Sequence, residues 1–109
     1  MKIIPYHDEA GVPVFWAWFN VQKDRRAKVR IQMSIDRLAS GNAGVGRNLR
    51  GGISELKIDE GPGYRVYFGR VGDSVVILLL GGIKDNQTDD INTAISYWEH
   101  WKQMNRRKK

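Results

Sequence analysis

Apolar positions recur along this chain with two different periods. Val14, Phe15, Trp18 and Phe19 fall at i, i+1, i+4 and i+5, one broad helical stripe. This spacing predicts a helix over 13–21, opened by Pro13, whose missing N–H would lack a helical partner there anyway. Asp24 is placed to cap a second helix running to Ser40, with Ala27, Ile31, Ile35 and Leu38 as its buried stripe and Gly41-Asn42 as its stop. After a glycine-rich loop over 42–52 the period drops to two, and three strands follow over 53–58, 64–70 and 74–80. Their connections, Asp59-Glu60-Gly61-Pro62-Gly63 and Val71-Gly72-Asp73, are hairpin-sized and carry glycine, so this part of the sheet is antiparallel. Ile91, Ala94, Ile95, Trp98 and Trp101 mark a final helix capped by Asp85, Asn86 or Thr88, and Lys2–Tyr6 reads as an opening strand. The predicted fold is α+β, a small, mainly antiparallel curved sheet of about four strands packed against two N-terminal helices and one C-terminal helix, in the order β-α-α-β-β-β-α.

Length and composition narrow the possibilities. A chain of 109 residues with 41% hydrophobic content and mean hydropathy of -0.49 reads as a single globular domain over 1–109. Its longest apolar run, Val75–Leu80, is far short of a membrane span, and Met1–Pro5 is too short for a signal peptide, so the expected location is the cytoplasm, with no membrane partner. Without cysteine there is no disulfide, thiolate nucleophile or thiolate zinc site, and His7 and His100 alone make a poor metal site. We expect no metal and no cofactor, with chemistry carried by Lys, Arg, Tyr, Asp or Glu.

The net charge of +6 is unevenly distributed. Residues 1–22 carry a net -1, residues 23–70 a net +6, residues 71–101 a net -4, and the eight residues from Lys102 a net +5. A basic block of this size suits a polyanionic partner, because phosphate contacts release condensed counterions; the plainer reading is a solvated surface with a flexible tail over 102–109. Lys23, Arg26, Arg30 and Arg37 recur at steps of 3, 4 and 7, forming a ridge on one exposed side of the second helix. It either meets an acidic partner or is simply solvated. Arg47 and Arg50 lie in the glycine-rich loop, which is too irregular for a phosphate-loop motif.

Alternation in the strands separates a second set of residues. Leu56, Ile58, Tyr64, Val66 and Phe68 can face the core, which leaves Glu55, Lys57, Arg65 and Tyr67 together on the other side, with Lys84 just beyond the third strand of the meander. Cations on such a face stabilise the charge that builds on a phosphodiester during cleavage, and Tyr or Lys can move protons. The plainer alternative is a cross-strand Glu55–Arg65 ion pair covered by Tyr67, worth about 0.2 to 1 kcal/mol.

The segment Gly52-Ile53-Ser54-Glu55-Leu56-Lys57-Ile58-Asp59-Glu60-Gly61-Pro62-Gly63-Tyr64-Arg65-Val66-Tyr67-Phe68 resembles the signature of the RelE/ParE superfamily of bacterial toxins, in its HigB-like addiction-module killer branch. Trp18, Ile35-Asp36-Arg37-Leu38, Gly41-Asn42 and Leu79-Leu80-Gly81-Gly82 before Lys84 and Gln87 add to the likeness. Ile83 departs from it, standing where that branch has Asp, and Asp85-Asn86 stands where it has Ser-Thr.

The resemblance implies the toxin of a type II toxin–antitoxin pair: a metal-independent endoribonuclease that cleaves mRNA on the ribosome and is neutralised by a small helix-turn-helix antitoxin. By position Arg65 matches the arginine aimed at the scissile phosphate, Lys57 the basic residue on the preceding strand, and Lys84 a cation that closes the site. Tyr67, Lys57 and Lys84 are the candidate proton carriers. Arg47 and Arg50 join these cations as expected RNA contacts, and the Lys23, Arg26, Arg30 and Arg37 ridge is the expected antitoxin surface. The superfamily also contains ParE-type proteins that bind DNA gyrase and cut no RNA, so a gyrase-binding inhibitor is the alternative.

Overall fold

The computed structural model describes residues 1–41 and 46–106. In chain order these form β1 (Lys2–Pro5), α1 (Val14–Asn20), α2 (Arg25–Ala39), β2 (Gly46–Asn48), β3 (Ser54–Ile58), β4 (Tyr64–Val71), β5 (Val75–Ile83) and α3 (Gln87–Arg106), with 3-10 turns at Arg50–Gly52 and Lys84–Asn86. The protein has an α+β fold. Its sheet has five strands in the order β1-β5-β4-β3-β2, antiparallel throughout except for the parallel β1–β5 pair. The fifth strand, β2, lies where a flexible loop was expected. Its short run pairs Arg47 with Glu55 and Asn48 with Ser54, and the Asn48 side chain accepts from the Ser54 hydroxyl at 3.0 Å.

The helices occupy both sides of the sheet. On one side α1 and α2 place Phe15, Ala27, Ile31, Ile35 and Leu38 against Leu56, Val66, Phe68, Val76 and Leu78. On the other, Ala94 and Trp98 of α3 pack with Ile53, Tyr67, Ile77 and Leu79. Two glycines permit this close approach. A Cβ on Gly81 would meet the Trp18 indole at 2.2 Å, and one on Gly69 would meet the Trp98 indole at 2.4 Å.

The basic tail expected to be flexible from Lys102 is helical as far as Arg106, because Trp101 docks against the sheet-side cluster and holds the last turns in register. Residues 107–109 and Asn42 lie outside the described residues. Among the described residues no helix is long and apolar enough to cross a membrane.

Helix α2 follows its sequence signals closely. The Asp24 carboxylate accepts from the Ala27 N–H at 3.1 Å, and the four expected apolar residues are its buried ones. An N-cap acceptor satisfies a backbone donor that the helix leaves unpaired, so Asp24→Ala should lower stability by about 1 kcal/mol. Urea unfolding checks this: the midpoint should fall without a change in slope.

Candidate functional site

The register of β3 and β4 assembles the site. Lys57 lies opposite Arg65 and Glu55 opposite Tyr67, so all four residues share the side of the sheet on which α3 packs. Lys84 joins them through the chain reversal. Its backbone N–H donates to the Gly63 carbonyl at 2.8 Å, and Gly63 is flanked by the Lys84 side chain and the Arg65 guanidinium. A Cβ at Gly63 would sit 3.4 Å from Lys84 Cβ and 3.5 Å from Arg65 Nη1, and its φ of +80° is one that favours glycine. Lys57, Arg65 and Lys84 therefore converge at one end of the sheet.

This face is not the open surface that strand alternation suggested. Glu55, Arg65 and Tyr67 are 2%, 4% and 0% exposed, whereas Lys57 and Lys84 are exposed. The difference arises because α3 crosses this side of the sheet, where Asp90 occupies the space left by Gly82, itself opposite Arg65 on the neighbouring strand. Burial leaves two polar atoms without a protein hydrogen-bond partner among the described residues, Arg65 Nε and the Tyr67 hydroxyl. The Arg65 Nη1 group donates to the Tyr64 carbonyl at 3.1 Å.

Glu55 does not pair with Arg65. It accepts from Arg47 at 2.6 Å and from the Gln87 side chain at 3.0 Å, because β2 brings Arg47 directly opposite it. The expected RNA contact Arg47 thus has its charge matched by a buried carboxylate. Arg50 donates to the Asn92 side chain on α3. Gln87, which sequence reasoning gave no role in the site, ties the start of α3 to β3.

Burial raises the Tyr67 phenol well above the ordinary tyrosine value. Glu55 and then Asp90 push it further, against the opposing influence of Arg65. Tyr67 therefore stays protonated at neutral pH, which makes it a donor; as a general base it is unsuited. Burial, and then Asp89, also raise the Asp90 carboxyl. Tyr6 and Tyr64 shift upward as well, with burial the first cause in each. A tyrosine whose folded pKa exceeds its unfolded value contributes stability that is fully present below about pH 10 and is lost as pH climbs toward the folded value. Thermal unfolding from pH 8 to 11 should accordingly show a falling Tm above about pH 10, with a shallower fall in Tyr67→Phe.

The α2 ridge separates into parts. Arg26 and Arg30 both grip Glu60, at 3.2 and 2.8 Å, while Arg37 stands farther along the helix. Arg26, Arg30 and Arg37 line a groove of about 680 Å³ with exposed Val29 and Met33 on the helix side and Lys57 on the strand side. Lys23 is exposed before the helix and outside the groove lining. Among the described residues, no three His, Cys, Asp or Glu side chains are grouped so that they could hold a metal ion.

No family model matches the chain. An uncharacterized protein of Haemophilus influenzae is 46% identical over 80 residues, an alignment covering 73% of this chain and 81% of that protein. The chain belongs to the same family as that Haemophilus protein.

Proposed function

We propose that the protein is the toxin of a type II toxin–antitoxin pair, of the RelE/ParE superfamily and its HigB-like branch, acting as a metal-independent endoribonuclease on translated mRNA in the cytoplasm. The supporting observation is that Arg65 and Lys84 flank Gly63 while Lys57 lies opposite Arg65 on the neighbouring strand, so three basic residues share one end of the sheet. In the proposed reaction the ribose 2′-hydroxyl attacks the adjacent phosphate. Its proton leaves to a basic group, the 5′-oxygen of the next nucleotide departs with a proton, and the products are a 2′,3′-cyclic phosphate and a 5′-hydroxyl. Lys57 and Lys84, both exposed, would neutralise the phosphate as charge builds, with the Arg65 guanidinium behind them. One of the two lysines, in its neutral form, would take the 2′ proton while the other, as the ammonium, neutralises the phosphate and protonates the departing 5′-oxygen, since the Tyr67 hydroxyl is buried away from the substrate.

The ridge groove is the surface proposed for the antitoxin. It shares Lys57 with the site, so a bound acidic segment would cover that lysine and block RNA entry. Arg65 burial favours the second reading, a gyrase-binding inhibitor, since a guanidinium closed off by α3 meets RNA less readily than one in the open.

Controlled expression, with mRNA 5′ ends mapped in translating and translation-blocked cells, separates the two. The toxin reading expects new ends confined to translated message. Intact message accompanied by gyrase-linked DNA breaks would establish the inhibitor. If rRNA phosphates supply the affinity, ribosome binding should fall steeply between about 50 and 200 mM salt.

A further inference from the structure

The end of β1 and the last turns of α3 enclose a second cavity, of about 660 Å³, on residues that the toxin reading does not use. Tyr6, His100, Trp101 and Met104 line it together with Asp8 and Glu9, and among the described residues no lysine or arginine contributes to the lining. We propose that this cavity binds an arginine side chain presented by a basic segment of a partner protein.

The lining matches a guanidinium in shape and in charge. A guanidinium is flat and weakly hydrated, so it stacks on aromatic rings while its edge pairs with carboxylates. Tyr6 is fixed as one wall: its N–H donates to the Leu78 carbonyl at 2.8 Å, its carbonyl accepts from Val14, its ring stacks on Tyr97 at 4.7 Å, and its hydroxyl bonds to His100 Nδ1 at 2.6 Å. Trp101 stacks on Trp98 at 5.4 Å with the rings within 5° of parallel, and the Lys102 ammonium already lies 5.6 Å from the centre of the Trp98 ring. The Trp98 ring of this pair therefore already faces one cation of the chain itself.

The local field has the right sign. Asp8 and Glu9 both act on the Tyr6 hydroxyl, raising its pKa after burial and Tyr97 have done so, and their negative charge therefore reaches into the cavity. Met104 lies in the last turn of α3, where unpaired carbonyls carry the negative end of the helix dipole. The nearby Lys102 ammonium is paired with the Glu99 carboxylate at 3.0 Å, which limits how far it offsets this field.

The test uses the full chain and a capped Gly-Arg-Gly peptide, with capped Gly-Glu-Gly as control, following the Trp101 indole and His100 ring signals by NMR. Saturable shifts with the arginine peptide alone are expected. Glu9→Gln removes an exposed charge, and Asp8→Asn keeps the side-chain oxygen that accepts from the Ala10 and Val12 N–H groups, so the double variant should fold. It should weaken binding about fivefold, the scale of a partly exposed ion pair or cation–π contact. Equal response to both peptides, no saturable shift, or unchanged affinity in the double variant would each overturn the proposal. A concentration-dependent dimer, seen in sedimentation and dispersed by the arginine peptide, would assign the site to a second copy of this chain and overturn the choice of partner.

Discussion

If the chain is the proposed endoribonuclease, Lys57→Ala should reduce mRNA cleavage roughly 10²- to 10³-fold, the range for deleting one group that faces developing charge. Lys57 suits this experiment because its side chain is exposed at the end of β3, and surface substitutions of that kind shift stability by about 0.5 kcal/mol or less. The loss should therefore appear as growth without arrest while thermal unfolding is unchanged. Arg65 needs another approach, since a buried alanine would open a cavity and leave the Tyr64 carbonyl without its donor. Arg65→Lys keeps the charge but removes the planar fork, so activity should fall at retained fold if the guanidinium geometry matters. Ribosome profiling and primer extension on the same strains measure both effects. A Lys57→Ala, Arg65→Lys double variant that still arrests growth and cleaves message as well as the parent protein would remove this site from the mechanism.

The helices and the β3–β5 meander were legible because their signals are local. Asp24 and the stripe Ala27, Ile31, Ile35, Leu38 define α2 within a single stretch of chain, and hairpin loops of the right length and composition join β3 to β4 and β4 to β5. Local pattern also brought Lys57, Arg65 and Tyr67 to one side of the sheet, since pleating fixes that once the register is natural.

The partner of Glu55 was not legible, because it depends on β2, whose glycine-rich sequence has little of a strand's usual character. Nor was the cover over Arg65 and Tyr67, although one signal pointed to it. Val75–Leu80 is apolar without alternation, the mark of a strand buried on both faces, and a strand of that kind beside β4 requires a helix on each side of the sheet. Tyr67 then lies beneath α3, its phenol desolvated and held in the protonated form.

Packing on the opposite side of the sheet yields the largest stability effect. Gly81→Ala should destabilise the protein by about 3 kcal/mol, at the upper end for overpacking a filled core. The added methyl would lie 2.2, 2.4 and 2.7 Å from three carbons of the Trp18 ring. That ring is partly buried, and Phe15 and Tyr64, at centroid distances of 5.7 and 6.1 Å, limit the directions in which it can move. At roughly 4 to 8 °C per kcal/mol for a domain near this size, Tm should fall by about 12 to 24 °C. Loss of glycine's backbone freedom is a minor factor here, because Gly81 has no positive φ and alanine can adopt its conformation. Contact with the indole should therefore account for nearly all of the effect. Trp18→Leu is itself destabilising, through lost burial, but it makes space for the methyl. In the double variant Gly81→Ala, Trp18→Leu the loss should be smaller than the sum of the two single losses by about 1 to 3 kcal/mol. Strict additivity would place the strain in the β4–β5 backbone and remove Trp18 as its cause.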